Sequence, residues 1–323
     1  MLRIPALLLP EELPNPKAIS SFRDSVNSYD PDFWSFQYST YRYLERTSDK
    51  ALDERYRGIL RNMKALISKE RDVIPIQSFL SSWYWYRKEY QTRFELTLRG
   101  ITPSSAVPIE TRFDNQPNDA PYRPRHPNAG DILFRYTKRT YCDDMLRKGL
   151  IRIQASSMYA DASNNSARRD QERTKESFLP GGHTRITTPL GQTIPVIGDV
   201  SVSVSMQDYY VLCMSCDWDR DLFEDFDSDA CLIIRDVEGF ASRLEGESGT
   251  HLSEFLFHHS PVEYFDPYER PENQFFDPGL SKDFRFAYQR EYRFIWIPRN
   301  PNSLDDYKYL EIGNLEELAE ISN

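Results

Sequence analysis

Long apolar runs are what this chain lacks most clearly. Mean hydropathy is −0.65 over 323 residues, and nothing approaches the roughly 18 apolar residues of a membrane span. The short Ala6-Leu7-Leu8-Leu9 run gives way at once to Pro10, Glu11 and Glu12, against the pattern of a secretory leader. Cysteine is scarce, at four, which fits a reducing cytoplasm rather than a disulfide scaffold. Cys213-x-x-Cys216 with Cys142 and Cys231 does not read as a zinc set. Cys213 and Cys231 fall in apolar, strand-like runs, where a thiol behaves as a small hydrophobe. The five histidines include His183, His258 and His259, none with a ligand partner at helical or loop spacing. No metal site is expected, and no Cys–His nucleophile pair. Pro180-Gly181-Gly182 lacks the Gly-Lys-Ser/Thr of a phosphate loop. The expectation left standing is a soluble, cytoplasmic protein with no membrane role.

An excess of positive charge is also missing, since the formal net charge is −10. The deficit is local. Residues 1–130 hold 19 Lys+Arg against 16 Asp+Glu, residues 131–200 hold 11 against 8, and residues 201–323 hold 10 against 26. A wholly basic nucleic-acid coat is excluded. Arg123, Arg125, Lys138, Arg139, Arg168 and Arg169 nevertheless permit a local phosphate-tracking surface. Aromatics are plentiful at 14%, with 20 Tyr. They suit packed cores, a stacking surface or a protein interface, and do not choose among them.

Residues 1–100 read as a helical, aromatic-rich region. Leu52, Tyr56, Ile59, Leu60, Met63, Leu66 and Ile67 recur at three- and four-residue spacing, an amphipathic stripe with Asp49 as its cap. A second helix is expected from Ile76 to Leu98. Its Trp83-Tyr84-Trp85-Tyr86 run reads as a buried segment or as a docking or base-stacking patch. Pro103, Pro108, Pro117, Pro121, Pro124 and Pro127 mark residues 101–130 as a linker. From residue 131 to 323 the texture becomes α+β. Strands are expected at Ile132–Tyr136, Leu150–Ala155, Tyr209–Ser215, Ala230–Ile234, Val262–Phe265 and Glu291–Ile297. Helices are expected at Arg139–Lys148, ended by Gly149, and at Val237–Leu244. Ala160–Glu176 and Ser281–Ala287 read as helical, with Arg168 to Glu176 a solvated face. The acidic tail, Glu311–Ile321, reads as a docking helix or a fraying end.

One stretch stands apart: Phe284 to Pro298, in which Gln289-Arg290-Glu291 runs into the alternating strand Glu291-Tyr292-Arg293-Phe294-Ile295-Trp296-Ile297. Period-2 alternation puts Gln289, Glu291 and Arg293 on one face and Tyr292, Phe294 and Trp296 on the other. Taken alone, this is an ordinary strand with a polar solvent face. A carboxylate on a strand with a carboxamide two residues before it is also a catalytic device. Two further fragments precede it in order, Phe134-Arg135-Tyr136 and Ala155-Ser156-Ser157-Met158-Tyr159.

The ordered set resembles the Arg–Ser–Glu arrangement of the ADP-ribosyltransferase superfamily over about residues 131–298. Val211–Ser215, Ala230–Ile234 and Glu291-Tyr292-Arg293 are also similar to a large group of bacterial proteins often found beside defence genes. Tyr159-Ala160-Asp161-Ala162-Ser163-Asn164-Asn165 departs from the Asn-Asp usual in that group. The resemblance implies a split β-sandwich that holds NAD between its sheets, preceded here by the helical N-terminal region. Cleavage of the nicotinamide–ribose bond passes through an oxocarbenium-like state. By the resemblance, Glu291 bonds the ribose 2′-hydroxyl and steadies that charge, and Gln289 orients the acceptor. Arg135 holds the phosphates or ribose of NAD, Ser156 or Ser157 braces Glu291, and Tyr136 and Tyr159 stack on nicotinamide or adenine. Arg293 either keeps Glu291 ionised, touches a phosphate, or forms a structural ion pair. On these terms Glu291→Gln removes a charge, keeps the shape and leaves the fold intact.

Gln289 stands where Glu is more frequent, which argues mildly against arginine as the acceptor. Defence-associated members of the fold include DNA-modifying DarT toxins and an RNA-modifying toxin of toxin–antitoxin–chaperone systems. The implied function is a mono-ADP-ribosyltransferase acting as an intracellular bacterial toxin or antiphage effector on RNA or DNA. An antitoxin or chaperone would then bind the Trp/Tyr run or the acidic tail. Two alternatives stay open: a non-catalytic binding or sensor module on the same sheet, and a NAD glycohydrolase that releases free ADP-ribose.

Overall fold

The computed structural model describes residues 31–66, 82–103, 130–160, 172–181, 184, 186–196, 198–268, 277–301 and 303–322. These fall into two compact units. One takes its residues from 1–117, 178–201 and 268–270, the other from 118–177, 202–267 and 271–323. Most of the expected linker (104–129) and the start of the expected second helix (76–81) lie outside the described residues.

In the first unit α1 (Pro31–Thr40), α2 (Asp49–Leu66) and α3 (Ser82–Leu98) pack together. The stripe on α2 does what its spacing predicts, and Leu52, Tyr56, Ile59 and Met63 are buried. Its cap is Ser48 rather than Asp49. Ser48 Oγ accepts from the Ala51 N–H at 3.3 Å, while the Asp49 carboxylate takes Arg99 Nη1 at 2.9 Å. Glu95 of α3 is buried because Arg42 Nε (2.8 Å), Arg99 Nε (2.7 Å) and the Tyr38 hydroxyl all donate to it. In the four-aromatic run Trp85 is buried and Tyr84 and Tyr86 are half-buried.

In the second unit β1 (Leu133–Thr137), α4 (Arg139–Lys148) and β2 (Leu150–Ala155) follow in the expected order. The helix stops at Gly149, whose φ of 65° is left-handed, and a Cβ there would sit 2.0 Å from the Gly313 carbonyl oxygen. A 3-10 turn (Ser156–Ala160) and β3 (Thr174–Leu179) come next, then a short hairpin of the first unit, β4 (Ile186–Thr187) and β5 (Thr193–Ile194). β6 (Val200–Ser205), β7 (Tyr210–Ser215), α5 (Asp221–Asp225), β8 (Ala230–Ile234), α6 (Val237–His251) and β9 (Phe255–Pro261) follow. The chain ends with β10 (Glu263–Phe265), β11 (Ser281–Asp283), a second 3-10 turn (Phe284–Gln289), β12 (Glu291–Pro298), β13 (Tyr307–Glu311) and β14 (Ala319–Ser322). The class is α+β, with N-terminal helices and a main sheet whose strands pair antiparallel.

The main sheet runs β13-β2-β7-β1-β8-β14, and β12 joins it to β9 by also pairing with β7. β7 is therefore a branch point. One of its edges pairs with β12 from Glu291↔Ser215 to Trp296↔Tyr210. The other meets β2 at its start (Ala155↔Tyr210, Gln154↔Val211) and β1 at its end (Phe134↔Ser215). Between those points β1 and β2 diverge, and the sheet forks. Tyr292, Phe294 and Trp296 of β12 join the main core with Phe240 and Leu244 of α6. The other parity does not face solvent, since Glu291 is 5% exposed and Arg293 and Ile295 are 0% exposed. The ordinary polar face expected of such a strand is absent.

Three segments read as helical are strands in part, while residues 284–287 are helical as expected, within the second 3-10 turn. Thr174–Glu176 belongs to β3, paired with β6, and Glu172 and Lys175 are buried rather than solvated. The inward positions of β3 are Lys175 and Ser177, so hydrophobic alternation could not mark it. Ser281–Asp283 pairs in parallel with β10, and the acidic tail supplies β14, antiparallel to β8. Residues 161–171 of the first segment lie outside the described residues. Among the described residues, no helix is long and apolar enough to cross a membrane, and no His/Cys/Asp/Glu group is placed to hold a metal ion.

Candidate active site

The fork opens into a cleft of about 300 Å³, lined by β7 from Val211 to Ser215 and by Arg135, Tyr136, Arg152, Tyr159, Glu172, Lys282, Gln289 and Glu291. Arg135 reaches it because β1 leaves β7 after Phe134. Its Nη1 donates to the Cys213 carbonyl at 2.6 Å, in the stretch of β7 that both β1 and β2 have left. A main-chain acceptor is thus satisfied by a side chain where the ladder stops.

Gln289 arrives by a turn, not by strand alternation. Arg290 has a φ of 43°, uncommon for a residue with a side chain. It is held there from both sides. Arg290 Nη1 pairs with Asp217 at 2.6 Å, and Ser215 Oγ donates to the Gln289 carbonyl at 2.7 Å. The turn brings Gln289 and Glu291 to one ammonium group: Lys282 Nζ donates to Gln289 Oε1 at 3.0 Å and to Glu291 Oε2 at 2.7 Å.

Glu291 is held through both carboxylate oxygens and its main-chain N–H. Its Oε1 accepts from Arg293 Nε at 2.7 Å, and its main-chain N–H donates to the Tyr264 hydroxyl at 2.8 Å. Burial alone would raise the carboxyl pKa. Arg293 first and Lys282 second outweigh burial, helped by a hydrogen bond from the Cys213 thiol, and hold the group well below the usual carboxylate range. Burial, with Glu291 behind it, pushes the Cys213 thiol up, so it stays protonated. Arg293 Nη2 lies 2.5 Å from Glu172, and Lys282 and Lys175 each lie 3.8 Å from that carboxylate. Glu172, Lys175, Lys282, Glu291 and Arg293 are each 5% exposed or less. Their formal charges sum to one surplus positive. Apolar residues would pack such a space at no lower stability, and buried groups with displaced pKa values concentrate at functional sites.

Five residues expected at the site share the cleft: Arg135, Tyr136, Tyr159, Gln289 and Glu291. Ser156 and Ser157 are turned elsewhere. Both hydroxyls donate to Asp208 at 2.6 Å, so neither braces Glu291. The 3-10 turn that starts at Ser156 aims them at the residues just before β7. Arg293 is fully buried and its guanidinium is committed to Glu291 and Glu172, the ion-pair role rather than a phosphate contact. The Tyr136 hydroxyl donates to the Asp217 carbonyl (3.0 Å) and accepts from the Asp219 N–H (2.8 Å), while its ring packs on Trp218, Phe223 and Phe226. It forms a fixed wall of the cleft. Tyr159 is half-buried against Tyr209, Val211 and Ile295.

Sequence reasoning missed Lys282, Glu172, Cys213 and Tyr264. Alternation along Tyr209–Ser215 could have placed Cys213, since it shares its parity with Tyr209 and Val211. Lys282 and Glu172 had no such signal, because they lie in or beside short polar segments. Comparison of the chain with protein-family models, curated proteins and solved structures gave no match.

Proposed function

We propose that this protein is a NAD-dependent mono-ADP-ribosyltransferase whose chemistry takes place at Glu291 in the forked cleft. The observation that carries the reading is the convergence of Arg135, Gln289 and Glu291, remote in sequence, on one cleft. A forked antiparallel sheet with polar residues at the fork suits a split β-sandwich of the ADP-ribosyltransferase type. The cleft volume falls at the lower end for small-molecule sites.

In this reaction the bond from ribose C1′ to nicotinamide breaks heterolytically. Its electron pair leaves with nicotinamide, and positive charge develops on C1′ and the ring oxygen. Glu291, kept ionised by Arg293 and Lys282, accepts from the ribose 2′-hydroxyl and lies beside that charge. Arg135 offers the part of its guanidinium fork not bound to Cys213 to the pyrophosphate. Gln289 orients the acceptor that attacks C1′. On the resemblance, that acceptor is RNA or DNA, and the protein is an intracellular toxin or antiphage effector restrained by an antitoxin or chaperone. Lys138 and Arg139 are engaged by Asp227 (2.9 Å) and Asp143 (3.3 Å). A phosphate track therefore draws mainly on other basic residues.

One observation favours a second reading. Both carboxylate oxygens of Glu291 already accept hydrogen bonds, which suits a module that binds a nucleotide without cleaving it. NAD labelled separately in nicotinamide and in adenylate, incubated with the protein and with RNA, DNA or protein acceptors, separates the possibilities. A transferase releases nicotinamide and labels a macromolecule, a glycohydrolase releases nicotinamide and free ADP-ribose, and a binding module does neither. Glu291→Asp keeps the charge and withdraws the carboxylate by about 1.5 Å, and should lower nicotinamide release about 100-fold. Undiminished release in that variant removes Glu291 from the reaction.

A further inference from the structure

We propose that Lys282, rather than either serine, is the positioning residue of this site, tying Gln289 and Glu291 together and fixing the carboxylate that faces the ribose. Its kinetic consequence rests on the transferase reading; its geometric content does not. Lys282 is 4% exposed, and its Nζ makes the 3.0 Å and 2.7 Å bonds that join the two side chains. The Phe286 ring centroid lies 5.0 Å from the same ammonium and confines it from another side.

The register of β10 and β11 explains why a lysine works here. Tyr264 and Lys282 are paired neighbours in that small parallel sheet. Tyr264 takes the main-chain N–H of Glu291, while Lys282 takes its side chain. One two-stranded element therefore grips the acid at both ends.

Other groups face Glu291 as well. Arg293 comes from β12, Glu172 from the segment before β3, and Cys213 from β7. Tyr209, Tyr159 and Tyr264 add their hydroxyls. Glu172 reaches Glu291 through the two cations they share. Lys175 lies 3.8 Å from Glu172 and makes no ion pair with Glu291. Of the two cations bound directly to Glu291, Lys282 lines the cleft and Arg293 does not. Lys282 thus sits where the carboxylate meets a ligand.

The test is the pH dependence of nicotinamide release in wild type, Lys282→Met, Lys282→Arg and Lys175→Met. Glu291 acts ionised, and its folded pKa lies below the ordinary value. Removing a neighbouring cation raises that pKa, so activity is lost sooner as pH falls. Lys282→Met should move the acid limb upward by about one to three pH units and lower kcat with little change in KM for NAD. Lys282→Arg should return the limb toward its wild-type position, and Lys175→Met should leave it there. A limb in Lys282→Met that coincides with wild type overturns the proposal, as does an equal shift in Lys175→Met. Lys282→Gln replaces Lys282→Met if the latter does not fold. If wild type releases no nicotinamide, the transferase reading fails by itself. Lys282 is then judged from the carbon-13 carboxyl titration of Glu291, where an unchanged pKa in the variant overturns its role.

Discussion

At Glu291 the charge has a structural role, since the carboxylate pairs with both Arg293 and Lys282. Glu291→Gln, which sequence alone presents as shape-preserving and harmless to the fold, leaves Arg293 and Lys282 with Glu172 as the anion they still share among the described residues. Unpairing one partner of a buried pair costs about 3 kcal/mol or more. Glu291→Gln should therefore lower unfolding free energy by about that amount in urea, and adding Lys282→Met should recover part of it, because Arg293 still lacks the Glu291 carboxylate. Simple additivity of the two losses would show that the pair is not coupled. Arg135→Ala removes a charge-assisted bond worth about 1.5–3 kcal/mol, and should raise KM for NAD at least about tenfold with kcat less affected. An unchanged KM would contradict its place beside the pyrophosphate. Arg135, Gln289 and Glu291 were singled out through the resemblance, which orders those residue types along the chain, and the fold brings all three to one cleft. Ser156 and Ser157 misled because a residue type says nothing of direction, and a turn aims both at Asp208. Lys282 was hidden because nothing in Leu280-Ser281-Lys282-Asp283 alternates.

Elements bounded by strong local signals came through: Arg139–Lys148, Leu150–Ala155 and Ala230–Ile234 have the spans their patterns predict. Gly149 is the clearest stop. Gly149→Ala puts a Cβ at positive φ against the Gly313 backbone. It should cost about 2 kcal/mol or more in urea unfolding, and a neutral effect would mean the α4–β2 junction relaxes freely. Elements whose inward residues are polar were lost to pattern reading, as β3 shows with Lys175 and Ser177. β9 was missed for a related reason, because His258-His259 interrupts its apolar alternation. His259 Nδ1 lies 2.7 Å from the Tyr292 hydroxyl, joining β9 to β12. Burial, partly offset by Glu238, lowers its pKa below the ordinary value. Its contribution to stability is thus complete above the unfolded value of about 6.5 and is lost as pH falls toward the folded one. Amides of residues 255–260 should lose hydrogen-exchange protection relative to β7 between pH 7 and 5.5, after correction for intrinsic rates. Parallel behaviour of β7 and β9 would contradict this.

On the scale of the whole molecule, the chain builds two units with separate cores, and residues 178–201 belong with the N-terminal helices. Composition read along the chain does not express such a return, because it orders segments by position rather than by contact. Glu95 anchors the helical unit through Arg42, Arg99 and Tyr38. Glu95→Gln should cost about 2 kcal/mol, after discounting for the partial exposure of both arginines. Exchange should quicken in α1–α3 while β7 and β12 keep their protection. Equal losses in both would show that the units unfold as one. The account turns on the forked cleft of the second unit. Its most direct test is a crystal structure of the wild-type protein with a NAD analogue whose nicotinamide–ribose bond cannot be cleaved. The account predicts the ribose 2′-hydroxyl at about 2.7 Å from a Glu291 carboxylate oxygen and the pyrophosphate beside Arg135. An analogue bound elsewhere, or a cleft that stays empty at saturating analogue, contradicts it.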